Sequence, residues 1–255
     1  MKKTIKLYWS SSKPNFGDAL SPMICEVVSG RKVHYAKPNQ CDLVSIGSIL
    51  HRVKEGFFAK KVHIWGTGFI DIQTPKNSKH YYHAVRGNLT KGMINKPVAA
   101  VGDPGLLAHL LLNKETPNKK YRIGFVEHYK DKNNASILDI LDKIPNSTNI
   151  DIFLPPKVFL ERISECEIIF SSAMHGLIAA DSLGIPNAWV ELSEGLRGQG
   201  FKFQDYYSVF NMNVQPKLIN ALNILTVAQD VADSYNRPNI EKIKKGLYDS
   251  FPQDI

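Results

Sequence analysis

Short apolar runs, several of which end directly on a glycine, constrain this chain more than any other feature. Thr4–Trp9, Lys32–Tyr35, Asp42–Ile46, Val62–Trp65, Tyr81–Val85 and Val98–Val101 read as strands, with Gly47, Gly66, Gly87 and Gly102 at or just past their ends. Strands this short and this uniformly apolar are buried on both faces, which is the condition of a parallel sheet covered by helices. Helix patterning follows at Asp18–Ser29 and Gly105–Leu112, with Asp18 and Asp103-Pro104 as start signals.

A polar stretch, Asn113–Lys120, reads as a linker. The rhythm then resumes with strands at Arg122–Val126, Ile150–Leu154, Glu167–Ser171 and Asn187–Leu192. Helices are expected at Ala135–Asp142, Pro156–Ile163 and Ala173–Leu183. The region from Gln215 to Leu247 reads as two helices broken near Pro238. The expected fold class is therefore α/β, with two Rossmann-like domains over residues 1–115 and 116–220 and a helical tail over 221–255. In such folds ligands bind outside the carboxyl ends of the strands, in the crevice between the two blocks.

Composition narrows the functions available. At 43% hydrophobic and 22% charged residues, the 255-residue chain has ordinary globular make-up, and no run reaches the length that spans a bilayer. The start, MKKTIKLYWS, reads as a first strand rather than an export signal. Three well-separated cysteines without CxxC spacing argue against a disulfide framework or zinc site and for a reducing, cytoplasmic setting. The net charge of +8 is dispersed in short lysine pairs with no nucleic-acid motif, which fits a solvated basic surface as well as phosphate-bearing small molecules or an anionic membrane surface as partners.

The unusual local sequences fall just after strands. Asn15-Phe16-Gly17-Asp18 opens a helix, where free amides can cradle an anion; Asp18 as a simple helix cap is the alternative. Trp65-Gly66-Thr67-Gly68 lets backbone approach a ligand but lacks the spacing of a dinucleotide fingerprint. Arg86 leaves a strand end where a guanidinium can clamp a carboxylate or phosphate, or can simply pair with an acid. His128 follows another strand. Ser171-Ser172-Ala173-Met174-His175-Gly176 joins a strand to a helix and places His175 in the helix's first turn, where the positive helix end favours a neutral imidazole until an anion binds. Gly102–Gly105 reads first as a turn and helix start, with a ligand role second. Arg197 and the segment Gly200–Tyr207, with Lys202 among aromatics, could meet phosphate and a sugar face or could equally be interdomain packing.

In their order along residues 7–210, these segments resemble the polysaccharide pyruvyl transferase family: Asn15–Asp18, Trp65–Gly68, Val85-Arg86-Gly87, Gly102-Asp103-Pro104, Ile123-Gly124 with His128-Tyr129, Ser171-Ser172 with Met174-His175-Gly176, Gly184-Ile185-Pro186, and Phe201–Phe203 with Asp205–Tyr207. The resemblance implies a fold similar to two-domain glycosyltransferases of the B type, with an acceptor-side first domain, a donor-side second domain and a C-terminal helix crossing back. It implies transfer of the enolpyruvyl unit of phosphoenolpyruvate to a sugar, forming a cyclic ketal and releasing phosphate, with neither metal nor cofactor. The implied acceptor is a lipid-linked polysaccharide precursor, met in the cytoplasm at the inner membrane face. The roles that follow are general acid/base for His175, with His128 second. Arg86, Arg197 and Lys202 would be anion ligands, and Asn15, Gly17, Asp18, Gly66, Gly68, Ser171 and Ser172 would line the substrate site. Two positions depart from the family pattern. Ala173 stands where some relatives have arginine, and Glu127 where many have proline. A nucleotide-sugar glycosyltransferase of the same architecture, or a non-catalytic module binding anionic glycans, would suit the same rim.

Overall fold

The computed structural model describes residues 4–11, 15–75, 77–112, 118–193 and 200–255. The first half builds a six-stranded sheet from β1 (Ile5–Tyr8), β2 (Val33–Tyr35), β3 (Leu43–Val44), β4 (His63–Trp65), β5 (Tyr81–Val85) and β6 (Ala100–Val101), in the order β2-β1-β3-β4-β5-β6. Every pairing is parallel. The second half builds a four-stranded parallel sheet from β7 (Tyr121–Val126), β8 (Ser147–Asn149), β9 (Cys166–Ser171) and β10 (Asn187–Trp189), ordered β10-β9-β7-β8. The chain is thus α/β with parallel sheets, as the apolar, glycine-terminated runs predict.

Helices follow the strands: α1 (Phe16–Ser29), α2 (Asn88–Gly92), α3 (Ala135–Lys143), α4 (Pro156–Ser164), α5 (Met174–Ser182), α6 (Phe201–Tyr207), α7 (Ile224–Ser234) and α8 (Ile240–Asp249). α1 ends on Gly30 at φ 63°, a left-handed cap that glycine adopts without strain. Residues Pro104–Leu111 form a 3-10 helix rather than an α-helix, capped as expected by Asp103, whose carboxylate accepts from the Gly105 N–H at 2.8 Å.

Two expectations give way. The strand expected at Ile150–Leu154 is instead β8, three residues earlier. Ile150 and Ile152 are buried, but a turn achieves this: Asp151 accepts from the Phe153 N–H at 3.0 Å and the Leu154 N–H at 3.1 Å. That turn frees the Ile152 carbonyl to accept from the Phe16 N–H at 2.7 Å, joining the second half to the start of α1. Residues 215–223 are not α-helical; Lys217 bridges Val190 beside β10 instead, and the helices begin at Ile224 and Ile240 on either side of Pro238. α2 and α6 are too short for periodicity to reveal.

The halves share a core. One cluster of buried apolar side chains runs from Ile5 and Leu7 through Phe16, Leu20, Leu106 and Ile178 to Val126 and Ile169. Phe16 stacks on Phe159 at 4.0 Å. The Ser182 hydroxyl donates to the Leu106 carbonyl at 2.9 Å. α8 lies against the first half: Trp65 Nε1 donates to the Leu247 carbonyl at 3.0 Å, and the Trp65 ring meets Phe251 edge-on at 4.8 Å.

α6 ties into both halves. Asp205 pairs with Arg86 at 2.8 Å, both side chains wholly buried, and also accepts from the Thr90 N–H and hydroxyl at 2.8 and 2.7 Å. On its other side Phe203 stacks on Trp189 at 4.3 Å, and the Tyr206 hydroxyl donates to Asp181 at 2.6 Å. Asp205→Ala would strand a buried guanidinium, a change that typically costs about 3–5 kcal/mol. The expected result is a large fall in thermal midpoint, measured by scanning calorimetry, with Asp205→Asn falling less.

Candidate active site

The carboxyl ends of the two sheets face a common cleft of ≈ 620 Å³, counting the solvent at its mouth. The first half contributes Asn15 and Asp18 from the start of α1, Gly47 and Ser48 after β3, and Ile70 after β4. The second half contributes His128 and Tyr129 after β7, Ile152 after β8, and Ala173, Met174 and His175 at the start of α5; Lys202 enters from α6. Five of the residues singled out from the sequence, Asn15, Asp18, His128, His175 and Lys202, therefore meet in one space.

Their local settings differ. Asn15, not Asp18, caps α1: its side-chain oxygen accepts from the Asp18 N–H at 3.2 Å, while its amide nitrogen donates back to the Asp18 carboxylate at 2.9 Å. The positive end of α1 is thus occupied by its own side chains, one of them an acid, which corrects the reading of Asn15–Asp18 as an anion cradle. Burial pushes the Asp18 carboxyl up to about 6, against the opposing pull of His175 and of the Asn15 hydrogen bond. Gly17 serves a different purpose from the one expected. A Cβ there would fall 2.1 Å from His175 Nδ1, so the glycine makes room for the imidazole.

His175 is the second residue of α5, which has no side-chain cap. Of the first-turn amides, the Gly176 N–H donates to the Ala173 carbonyl at 3.0 Å, and the cap residue Ala173 offers no side chain to those of Met174 and His175, a setting that suits an anion. The other imidazole nitrogen, Nε2, stands 3.8 Å from Asp103 Oδ2, and neither atom has a hydrogen-bond partner. Two buried, unsatisfied groups of opposite polarity, one from each half, face each other at that distance.

Lys202 lies beside them with no hydrogen-bond acceptor among the described residues. Burial, reinforced by the Arg86 charge behind it, holds its ammonium down at about 8. Burial and the nearby Lys202 hold His128 down at about 4, so that ring is neutral across the physiological range. The Ser172 hydroxyl accepts from the His128 N–H at 2.8 Å and donates to Asp131 at 2.7 Å, which fixes the loop carrying His128.

Other expected site residues are placed behind the cleft rather than in it. The Arg86 guanidinium is wholly buried and engaged by Asp205, Ser48 and the Phe69 carbonyl; it reaches the cleft only through Ser48. Gly68 packs directly under that guanidinium, and Gly66, at φ 90°, under Pro104, so neither offers backbone to a ligand. Ser171 donates to the carbonyls of Val126 and Ala173 at 2.9 and 2.8 Å, bracing the strand-to-helix turn; like Ser172 it has no exposed surface. Arg197 lies outside the described residues. Ser48 and Asp131 carry no expectation of a site role from sequence, and Gly47-Ser48 at the end of a strand is the signal that could have raised Ser48. Asp103 keeps the helix-cap role expected of it first and also faces His175.

A sequence profile described as polysaccharide pyruvyl transferase matches residues 2–194. The uncharacterised protein L143 of Acanthamoeba polyphaga mimivirus is 29% identical over 226 residues, 83% of this chain and 76% of that one. The succinoglycan biosynthesis protein ExoV of Rhizobium meliloti is 25% identical over 224 residues, 83% of this chain and 66% of that one. Among solved structures, the uncharacterised KP1_0663 of Klebsiella pneumoniae aligns with a TM-score of 0.44 at 14% identity, over 84% of this chain and 93% of that one. An alpha-glucosyltransferase in complex with UDP and DNA aligns at 0.40 and 9% identity, over 98% and 95%.

The raised Asp18 value has a thermodynamic sign. Because the folded-state value lies above the ordinary 3.8, ionised Asp18 costs stability above about pH 6, and the cost disappears as pH falls below 3.8. Asp18→Asn should therefore stabilise the protein at pH 8, by on the order of 2 kcal/mol, and the gain should vanish near pH 4. Chemical denaturation at the two pH values measures it; an equal shift at both would assign the effect to packing.

Proposed function

The chain belongs to the polysaccharide pyruvyl transferase family and is a transferase, and on that footing we propose that it moves the enolpyruvyl group of phosphoenolpyruvate onto a sugar of a lipid-linked polysaccharide precursor. The observation that carries this reading is the convergence of His175, Asp18, Lys202 and the uncapped start of α5 on one cleft. A small dianion with one phosphate and one carboxylate needs a helix end, a fixed cation and a proton donor close together.

Phosphate sits against the α5 amides and Lys202 in this reading, the pair taking the place of the arginine that some relatives carry where this chain has Ala173. His175 delivers a proton to the methylene carbon, C3, and C2 takes on oxocarbenium character. Asp18, a carboxyl poised near neutrality, accepts the proton of the attacking sugar hydroxyl as the new C2–O bond forms. The C2–O bond to phosphorus oxygen then breaks, and a second sugar hydroxyl closes the ketal. Two hydroxyl protons are lost, one proton is gained by C3 and one leaves with phosphate, so the step balances. Asp103, facing His175 Nε2, orients the ring. His128, held neutral at working pH, serves as a hydrogen-bonding wall rather than as the acid. Arg86 acts through Ser48 and Lys202. The reading invokes no metal or cofactor. A neighbouring hollow of ≈ 360 Å³ shares Tyr129 and Ile152 with the cleft and gives the acceptor sugar an approach.

The direct test is phosphate release from phosphoenolpyruvate across a panel of acceptor glycosides, with products read by mass spectrometry. His175→Ala should lower kcat by ~10²–10⁴ while the thermal midpoint holds; a folded variant with wild-type turnover would remove His175 from the chemistry. Lys202 loses its charge above about pH 8, so kcat/KM for phosphoenolpyruvate should decline on the alkaline side with that midpoint. Lys202→Met should raise KM and abolish that alkaline limb. A limb unchanged in the variant would belong to another group.

A further inference from the structure

We propose that the turn carrying Phe57 and Phe58 is a membrane-docking tip for an anionic lipid surface. The two rings occupy the central positions of a β-turn closed by the Ala59 N–H donating to the Gly56 carbonyl at 2.9 Å. They are 93% and 97% exposed and meet edge-to-face at 5.2 Å. Turn centres ordinarily carry glycine, proline, asparagine, aspartate or serine. Two phenylalanines there violate the local rule and leave a paired apolar projection in water, and such violations collect where function requires them.

The projection is built. Lys79 Nζ lies beneath it and donates to the carbonyls of Gly56 and Ala59, and to that of Phe57 at 3.3 Å. Glu55 holds the flank, accepting from the Ser78 hydroxyl at 2.6 Å and the Lys79 N–H at 3.2 Å. Bracing of this kind presents the rings outward rather than letting them fold back onto the sheet.

Charge identifies the partner. Residues 51–61 hold four cations, Arg52, Lys54, Lys60 and Lys61, against one carboxylate, Glu55. Lys60 is paired with Asp42 at 2.5 Å, while Lys54 and Lys61, on either side of the turn in the chain, are exposed, and the whole chain carries +8. An aromatic pair that enters the headgroup region, flanked along the chain by lysines that meet anionic lipid, is the composition of an interfacial anchor. A protein partner of ordinary affinity would need roughly 800 Å² on each side, and a single projecting turn offers far less. Among the described residues no helix is long and apolar enough to cross a membrane, so contact here would be peripheral. The turn precedes β4, whose carboxyl end leads to the cleft. Docking therefore engages the amino-terminal edge of the sheet and leaves the cleft uncovered. The proposal goes beyond the pyruvyl-transfer reading and does not depend on it.

Sedimentation with large vesicles tests it, using phosphatidylcholine alone against phosphatidylcholine mixed with phosphatidylglycerol. The protein should pellet with the anionic vesicles only, and the double variant Phe57→Ser/Phe58→Ser should bind them about tenfold more weakly. Lys54→Glu/Lys61→Glu, or roughly 0.5 M salt, should weaken binding similarly by removing or screening the attraction. Thermal midpoint and phosphate release on a water-soluble acceptor should not change in either variant, which separates this test from that of the reaction. The proposal is overturned if the parent protein ignores anionic vesicles or if the phenylalanine variant binds as the parent does. It is equally overturned if light scattering shows the parent dimerising through these rings.

Discussion

The buried pair between Arg86 and Asp205 is the contact on which the cleft depends. A guanidinium with no exposure must have its donors satisfied, and here a carboxylate, a hydroxyl and a carbonyl do so. Because Asp205 belongs to α6 and Arg86 to the end of β5, satisfying the charge also pins α6 to the first half. Phe203 and Tyr206, on the same helix, pin it to the second through Trp189 and Asp181. Lys202 is carried on that strut. Its position over the cleft follows from contacts on the far side of the helix.

The cleft itself concentrates groups held in states that water would not give them. Asp18 is buried as an acid near neutrality, Lys202 as a weakened cation, and His175 and Asp103 face each other without a hydrogen bond. Perturbed groups gathered at the seam of two sheets mark a candidate functional site. The rest of the molecule supplies the stability that allows it, through a core continuous across both halves.

Helix ends show how similar local sequences diverge. Both α1 and α5 begin just beyond a strand and both point into the cleft. At α1 the Asp18 N–H is taken by Asn15 and the Phe16 N–H by the Ile152 carbonyl; α5 is preceded by Ala173, which has no polar side chain to cap it. The cleft therefore meets one helix start without a side-chain cap rather than two. Serine and glycine positions that look like ligand contacts, Ser171, Gly66 and Gly68, are occupied instead by the packing that brings Pro104 and Arg86 close to the strand ends.

The amino-acid sequence by itself determined the α/β class, the parallel sheets and the rim on which function gathers, because strand length, apolar continuity and terminal glycines are local properties. It also singled out His175 and Lys202, since a histidine in a first turn and a lysine among aromatics are unusual wherever they occur. Only the tertiary structure decided which charges reach the cleft. Arg86 and Lys202 are equally cationic on paper, and what separates them is a carboxylate 119 positions away in the chain. The same holds for Asp103, whose second oxygen faces His175 only because α5 arrives beside it. Burial and pairing across the fold are non-local, and they decide whether a charge is structural or free to act.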